Sequence, residues 1–291
     1  FLSTAPLDKL TFVQKAGVSL EKDIQKDLIL YGALEWKNYT PLGLATYQRL
    51  LGQDTIQLSH LTATEFTMRI RWTKDEEFLS GSFDRTALRS PYPILSFQGI
   101  FGFKDVLGSD YNYQKLEFQM DHHRLIGVFG RIRYGVNAGY VFGTAAYPFL
   151  KVHEGNQSYW LLTSTFNMLN FFEFVSDRYV GAYIENHWEG LFFDRIPLIK
   201  KLKWRLVTTG RITYGAISDR HINEMLLPDF TKQFGKIPYA EAAIGIENIV
   251  KVVRVDLVWR LTHNAPQLPN QSSFEYRLQS LGIRARFSLN F

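Results

Sequence analysis

The last eleven residues, 281–291, constrain this chain more than any other stretch. Leu281, Ile283, Ala285, Phe287, Leu289 and Phe291 are apolar, and Gly282, Arg284, Arg286, Ser288 and Asn290 between them are small or polar. A period of two describes a strand with one apolar and one polar face. At strand rise and a tilt of ~45°, about ten residues cross the hydrocarbon core of a bilayer. An edge strand of a soluble sandwich can also end on an aromatic. Two arginines opposite the apolar face favour the membrane strand.

Composition agrees with that reading. The chain has 291 residues and contains no run of apolar residues long enough for a transmembrane helix. Its mean hydropathy is −0.14, close to neutral, as in a membrane barrel where only alternate residues meet lipid. The 23 Phe, 15 Tyr and 6 Trp would supply aromatic girdles at the membrane interfaces. Zero cysteines exclude disulfides, thiolate metal sites and cysteine nucleophiles. The net charge of +5 is spread singly along alternating segments, without the clustered patch of a nucleic-acid binder. The sequence starts at Phe1 with no Met or signal peptide, which reads as a processed or partial chain.

Strand-like segments recur with consistent faces. Residues 251–262 place Val253, Val255, Leu257, Trp259 and Leu261 opposite Arg254, Asp256 and Arg260. Segments 239–249, 202–217, 179–193, 126–140, 111–121 and 64–72 behave alike, and 28–38, 77–87, 94–104 and 158–166 are weaker candidates. The expectation is an all-β fold, an antiparallel transmembrane β-barrel of the outer-membrane type. It would show about twelve strands, and roughly 14 to 16 in a longer parent protein. Residues 1–27 read as a lead-in, helical or irregular, and 28–291 as the barrel. With the carboxyl terminus in the periplasm, loops 264–273, 218–238 and 168–178 would face outside, and 247–250, 194–201 and 143–157 would be periplasmic. Loop 218–238, with Met225, Leu226, Leu227 and Phe230, is too apolar to float free, so it should fold over the mouth or meet a partner.

The inward faces collect Arg131, Arg133, Glu185, His187, Glu189, Arg205, Arg211, Glu241, Glu247, Arg254, Asp256, Arg260, Arg284 and Arg286. So many charges would be prohibitive in a sandwich core and are ordinary in a barrel lumen. Glu185, His187 and Glu189 could ligate a metal at two-residue spacing. The alternative, preferred here, is a charge ladder neutralised by Arg205 and Arg211, with no metal and no other cofactor. A hydrolase on the barrel wall would need an outward Ser–His pair. None is evident with His187 inward and His122 and His123 in a tight loop, so no enzyme is expected. Asp177–Arg178 and Asp194–Arg195 read as local pairs at strand ends. The lumen is either a pore with weak anion preference or a network filling a narrow barrel. The filled barrel is preferred.

The segments 93–97, 107–113 (LGSDYNY), 146–157 (AYPFLKVHEGNQ), 166–179 (FNMLNFFEFVSDRY), 192–204 (FFDRIPLIKKLKW) and 245–260 (GIENIVKVVRVDLVWR) resemble an outer-membrane barrel family of Bacteroidota with no assigned function. Its members usually carry a carboxypeptidase-regulatory-like domain before the barrel. A more distant similarity is to the Omp85 group of assembly and translocation barrels. The ending also resembles the terminal strand of outer-membrane barrels, where Phe287, Leu289 and Phe291 would form the assembly signal. These resemblances imply an outer-membrane address in a Gram-negative bacterium and contact with outer-membrane lipid. They also imply contact with the barrel-assembly machinery during insertion and with other outer-membrane proteins. The expected role is a non-enzymatic component of an assembly or secretion complex, with a small-solute pore as the alternative.

Overall fold

The computed structural model describes residues 9–51, 54–80, 85–266 and 272–287. Eleven strands form one antiparallel sheet, each hydrogen-bonded to the next long strand along the chain. They are β1 (Lys9–Gln25), β2 (Leu28–Gly43), β5 (Leu61–Thr73), β8 (Ile94–Gly102), β9 (Tyr113–Leu125), β10 (Arg131–Gly143), β13 (Arg178–His187), β14 (Arg205–Ala216), β15 (Tyr239–Ile249), β16 (Val253–Arg260) and β17 (Leu281–Phe287). Three short pairs stand apart: β3 (Tyr47–Leu51) with β4 (Asp54–Leu58), β6 (Glu77–Ser80) with β7 (Arg85–Arg89), and β11 (Lys151–Val152) with β12 (Val175–Ser176). Helices α1 (Pro197–Leu202), α2 (Asp219–Ile222) and α3 (Ser273–Gln279) lie in connections. Among the described residues no helix is long and apolar enough to cross a membrane.

Register carries the face pattern from strand to strand. Arg133 lies opposite Glu185, Glu185 opposite Thr209, Arg211 opposite Glu241, Glu241 opposite Arg260, and Asp256 opposite Arg284. Side chains one residue along point the other way, and there Val180, Ile184, Ile244, Leu257, Trp259 and Ile283 stay exposed. A continuous outward apolar belt around a polar interior is the arrangement of a barrel wall in lipid. Inside the wall, three tyrosines lie over glycines of the paired strand. A Cβ at Gly102 would fall 2.7 Å from the Tyr113 ring, one at Gly135 2.6 Å from Tyr183, and one at Gly139 2.5 Å from Tyr179.

Alternation of direction puts connections 26–27, 74–93, 126–130, 188–204 and 250–252 at one end of the sheet, the turn end. Connections 44–60, 103–112, 144–177, 217–238 and 261–280 lie at the other, the loop end. The main apolar core sits inside the loop end. Phe149 is its hub, with rings of Tyr39, Tyr111 and Tyr113 at centroid distances of 5.2, 5.6 and 5.5 Å. Met225, fully buried, brings connection 217–238 into this cluster, so that apolar loop does fold over the mouth.

Several expectations are corrected. Residues 9–25 are no lead-in but strand β1, whose outward face carries Leu10, Phe12, Ala16, Val18 and Leu20 in register with β2. Gln14 and Lys22 on that face, and Val13 on the other, blur its period. In the 77–87 candidate, β6 pairs with β7 outside the main sheet. The 158–166 candidate is not a strand, so 144–177 is one connection and 143–157 joins 168–178 at the loop end. Residues 126–130 form a turn, and His122 and His123 belong to β9. The His122 imidazole accepts from the Tyr134 hydroxyl at 2.9 Å and donates to the Pro91 carbonyl at 3.2 Å.

Candidate functional site in the lumen

The polar faces of β13 to β17 meet inside as a linked set of charges. Arg254 is the centre: it donates to Asp256 at 2.7 and 2.8 Å and to Glu185 at 3.0 Å. Glu185 continues to His187 at 3.1 Å, and His187 to Glu247 at 3.0 Å. Gly245, directly opposite Asp256, leaves the space its carboxylate occupies. Such a set persists away from water only when every member is matched.

Glu185 and His187 meet, but Glu189 does not join them. The strand ends at His187, and Glu189, at φ +48°, turns away to pair with Arg131 at 2.7 Å and with Arg205. Arg205 therefore neutralises Glu189, as the ladder reading holds, but Glu185 is matched by Arg254. Arg211 instead donates to the backbone carbonyl of Thr163. Arg286 lies opposite Arg254 in register, with no ion pair among the described residues. Phe287 is exposed and packs against Trp160, whereas Leu289 and Phe291 lie outside the described residues. Asp177 pairs with Arg178 at 3.2 Å and accepts from the Ser218 amide at 3.0 Å, tying two loops together.

A second network lies elsewhere on the inner wall, among β2, β5 and β9. Glu65 accepts from Lys37 at 2.6 Å and from the Tyr113 hydroxyl, with Lys115 at 3.8 Å, and Lys37 also reaches Glu35 at 2.9 Å. Lys15 of β1 joins through Glu35. The same period-two rule would have placed Glu35, Lys37 and Lys115 inside. Glu35 and Lys37 belong to 28–38, where the alternation is weak, whereas Lys115 lies on the polar face of the clean segment 111–121.

Connection 144–177 is inserted against these walls and held by Glu241, Arg260 and Arg284 of the inner faces. The Glu241 carboxylate accepts from the amides of Asn167 and Met168 at 2.8 and 2.7 Å. Arg284 donates to the Asn167 carbonyl at 3.1 Å, and Arg260 to that of Met168 at 3.2 Å. Arg260 also grips Glu173 at 2.7 and 3.0 Å. Burial pushes the Glu173 carboxyl up, but Arg260 outweighs it, with help from the Asn170 amide and Lys232, and holds it at about 2. Burial and the nearby Lys151 charge push His153 down to about 3, so its imidazole is neutral. Further along, the Tyr159–Leu161 backbone bridges the free edge of β17: the Leu161 amide donates to the Ala285 carbonyl at 2.8 Å, and the Ala285 amide to the Tyr159 carbonyl at 3.0 Å.

A family model described as "Family of unknown function (DUF5686) C-terminal domain" matches residues 18–223, and the chain belongs to that family. No curated protein matches. Among solved structures, BamA from Haemophilus ducreyi lacking POTRA domains 1–3 is similar at a TM-score of 0.56 and 10% identity, over 96% of this chain. The chain spans 54% of that BamA chain. The likeness is one of fold: an outer-membrane β-barrel.

Proposed function

We propose that this member of the DUF5686 family is a non-enzymatic integral component of an outer-membrane protein assembly or secretion complex in a Gram-negative bacterium of the Bacteroidota. The observation that carries the reading is the occupied interior. Connection 144–177 is fastened to the lumen wall by Glu241, Arg260 and Arg284, and Tyr159–Leu161 holds the terminal strand's edge. A lumen filled by its own chain suits a barrel that works through its edges and surfaces more than one that conducts. The resemblance to Omp85 barrels and the likeness to BamA support the same direction. In this reading the turn end and the carboxyl terminus are periplasmic, the loop end faces outside, and the partners are lipid, the barrel-assembly machinery and other outer-membrane proteins.

Gentle solubilisation of cell envelopes followed by affinity purification tests it: stable co-purification of outer-membrane proteins is expected. A lone monomer with no reproducible partner overturns it. The alternative, a small-solute pore with weak anion preference, draws on the polar cavity of about 480 Å³ at the loop end, lined by Arg260, Lys232 and Arg284. Steady single-channel conductance in planar bilayers, reduced by Arg260→Glu, would favour the pore.

A further inference from the structure

A second cavity, of about 420 Å³, lies between the inner wall of β9, β10, β13 and β14 and the inserted connection at 151–154 and 163–166. Two guanidinium groups enter it, one from β10 and one from β14, on either side of β13. Arg133 and Arg211 lie 5.6 and 5.2 Å from the centroid of the Tyr183 ring, and neither forms an ion pair among the described residues. The carboxylates nearby are already engaged. Asp121 accepts from the Tyr183 hydroxyl, and Glu154 pairs with Lys151 at 2.7 Å. Glu185 is taken by Arg254, and Glu241 by the amides of the connection.

Two like charges around one ring make a cradle for negative charge. A planar guanidinium presents paired N–H groups to carboxylate or phosphate oxygens.

We propose that this cavity binds one small oxyanion, a carboxylate or phosphate group, held by the guanidinium groups of Arg133 and Arg211. The site is independent of the assembly role and of conduction, since it is a feature of the inner wall and the connection alone. It gives the inserted connection a ligand that would pin it to the wall.

The test uses the whole chain purified in detergent micelles. Inorganic phosphate and acetate are titrated separately by calorimetry, with chloride holding the ionic strength constant. Saturable binding of one anion per chain is expected, weakened about tenfold by Arg211→Gln and by Arg133→Gln. Binding of phosphate alone identifies a phosphoryl ligand, and of acetate alone a carboxylate. Arg133 is exposed to the lumen and has no ion pair to lose, so Arg133→Gln remains a fair test where Arg211→Gln does not fold. Absence of saturable binding for both anions, or unchanged affinity in Arg133→Gln, overturns the proposal.

Discussion

The two ends of the interior are closed by opposite chemistry. At the loop end, rings and aliphatic side chains fill the mouth around Phe149, with Tyr111, Tyr147 and Met225 drawn from different connections. Deeper in, the space between β13 and β17 is spanned by Arg254, Glu185, Asp256, His187 and Glu247. Apolar contact is non-directional and roughly proportional to area, so the mouth can repack when a loop shifts. A buried ion network is worth little beyond its cost when complete, and is strongly destabilising when one member is missing. The mouth is therefore adaptable, and the wall beneath it has a single arrangement.

The largest effect should come from breaking the network. Arg254→Met strands Glu185 and Asp256 together, and is expected to lower unfolding stability by about 3–5 kcal/mol, read by urea titration of tryptophan fluorescence in micelles. Adding Asp256→Val should recover part of the loss. A cost under about 1 kcal/mol would mean the network is solvated and the contrast with the mouth is false. Next, Phe149→Ala removes the aromatic hub, at about 3 kcal/mol. Its loss should appear as protease cleavage within 44–60 and 217–238 while the strands keep their far-ultraviolet signal. Melting of the strands alongside the loops would show that mouth and wall are one cooperative unit.

Acid should separate the two regions more gently. His153 is held at about 3 against an ordinary 6.5, so the unfolded chain binds a proton the folded one refuses, and stability falls as pH drops from 6.5 toward 3. Glu173, at about 2 against 4.5, contributes fully above pH 4.5 and loses that contribution as pH falls toward 2. Limited proteolysis across this range should show the connection loosening in two steps, the upper one missing in His153→Gln. A single step in both proteins would contradict it. The smallest effect is expected from Trp160→Ser. Trp160 is partly exposed on Phe287, and about 1 kcal/mol or less is at stake. Hydrogen exchange at the Ala285 amide should quicken, with the rest of β17 unchanged.

Much of the wall was legible in the sequence because a membrane barrel writes its two solvents into alternate residues. Arg254, Asp256 and Arg260 could be placed inside from their neighbours Val255, Leu257 and Trp259. β1 was obscured by Gln14 and Lys22 on its lipid face, and the end of β9 by the unbroken polar run 121–124. What periodicity cannot show is where a long connection goes. The 158–166 stretch has strand-forming composition, and it does make β-bridge bonds, but to β17 rather than as a member of the wall. Partner choice inside the lumen was equally hidden, since Arg211 and Arg254 sit on neighbouring wall faces and only distance decides which meets Glu185.

The tyrosines lying over glycines bear on how the wall is put together. Tyr183 faces Gly135 and Tyr179 faces Gly139 across the same strand pair. The smallest slip that keeps lipid and lumen faces correct is two residues. A slip of two would set Tyr183 against Arg133 or Asn137, and Tyr179 against Asn137 or Val141, where a side chain already stands in the ring's place. Each ring and its gap work like a key and its slot, so a hairpin docking one step out of line would jam before its hydrogen bonds closed. The rings and their gaps therefore favour the native alignment of this strand pair by shape.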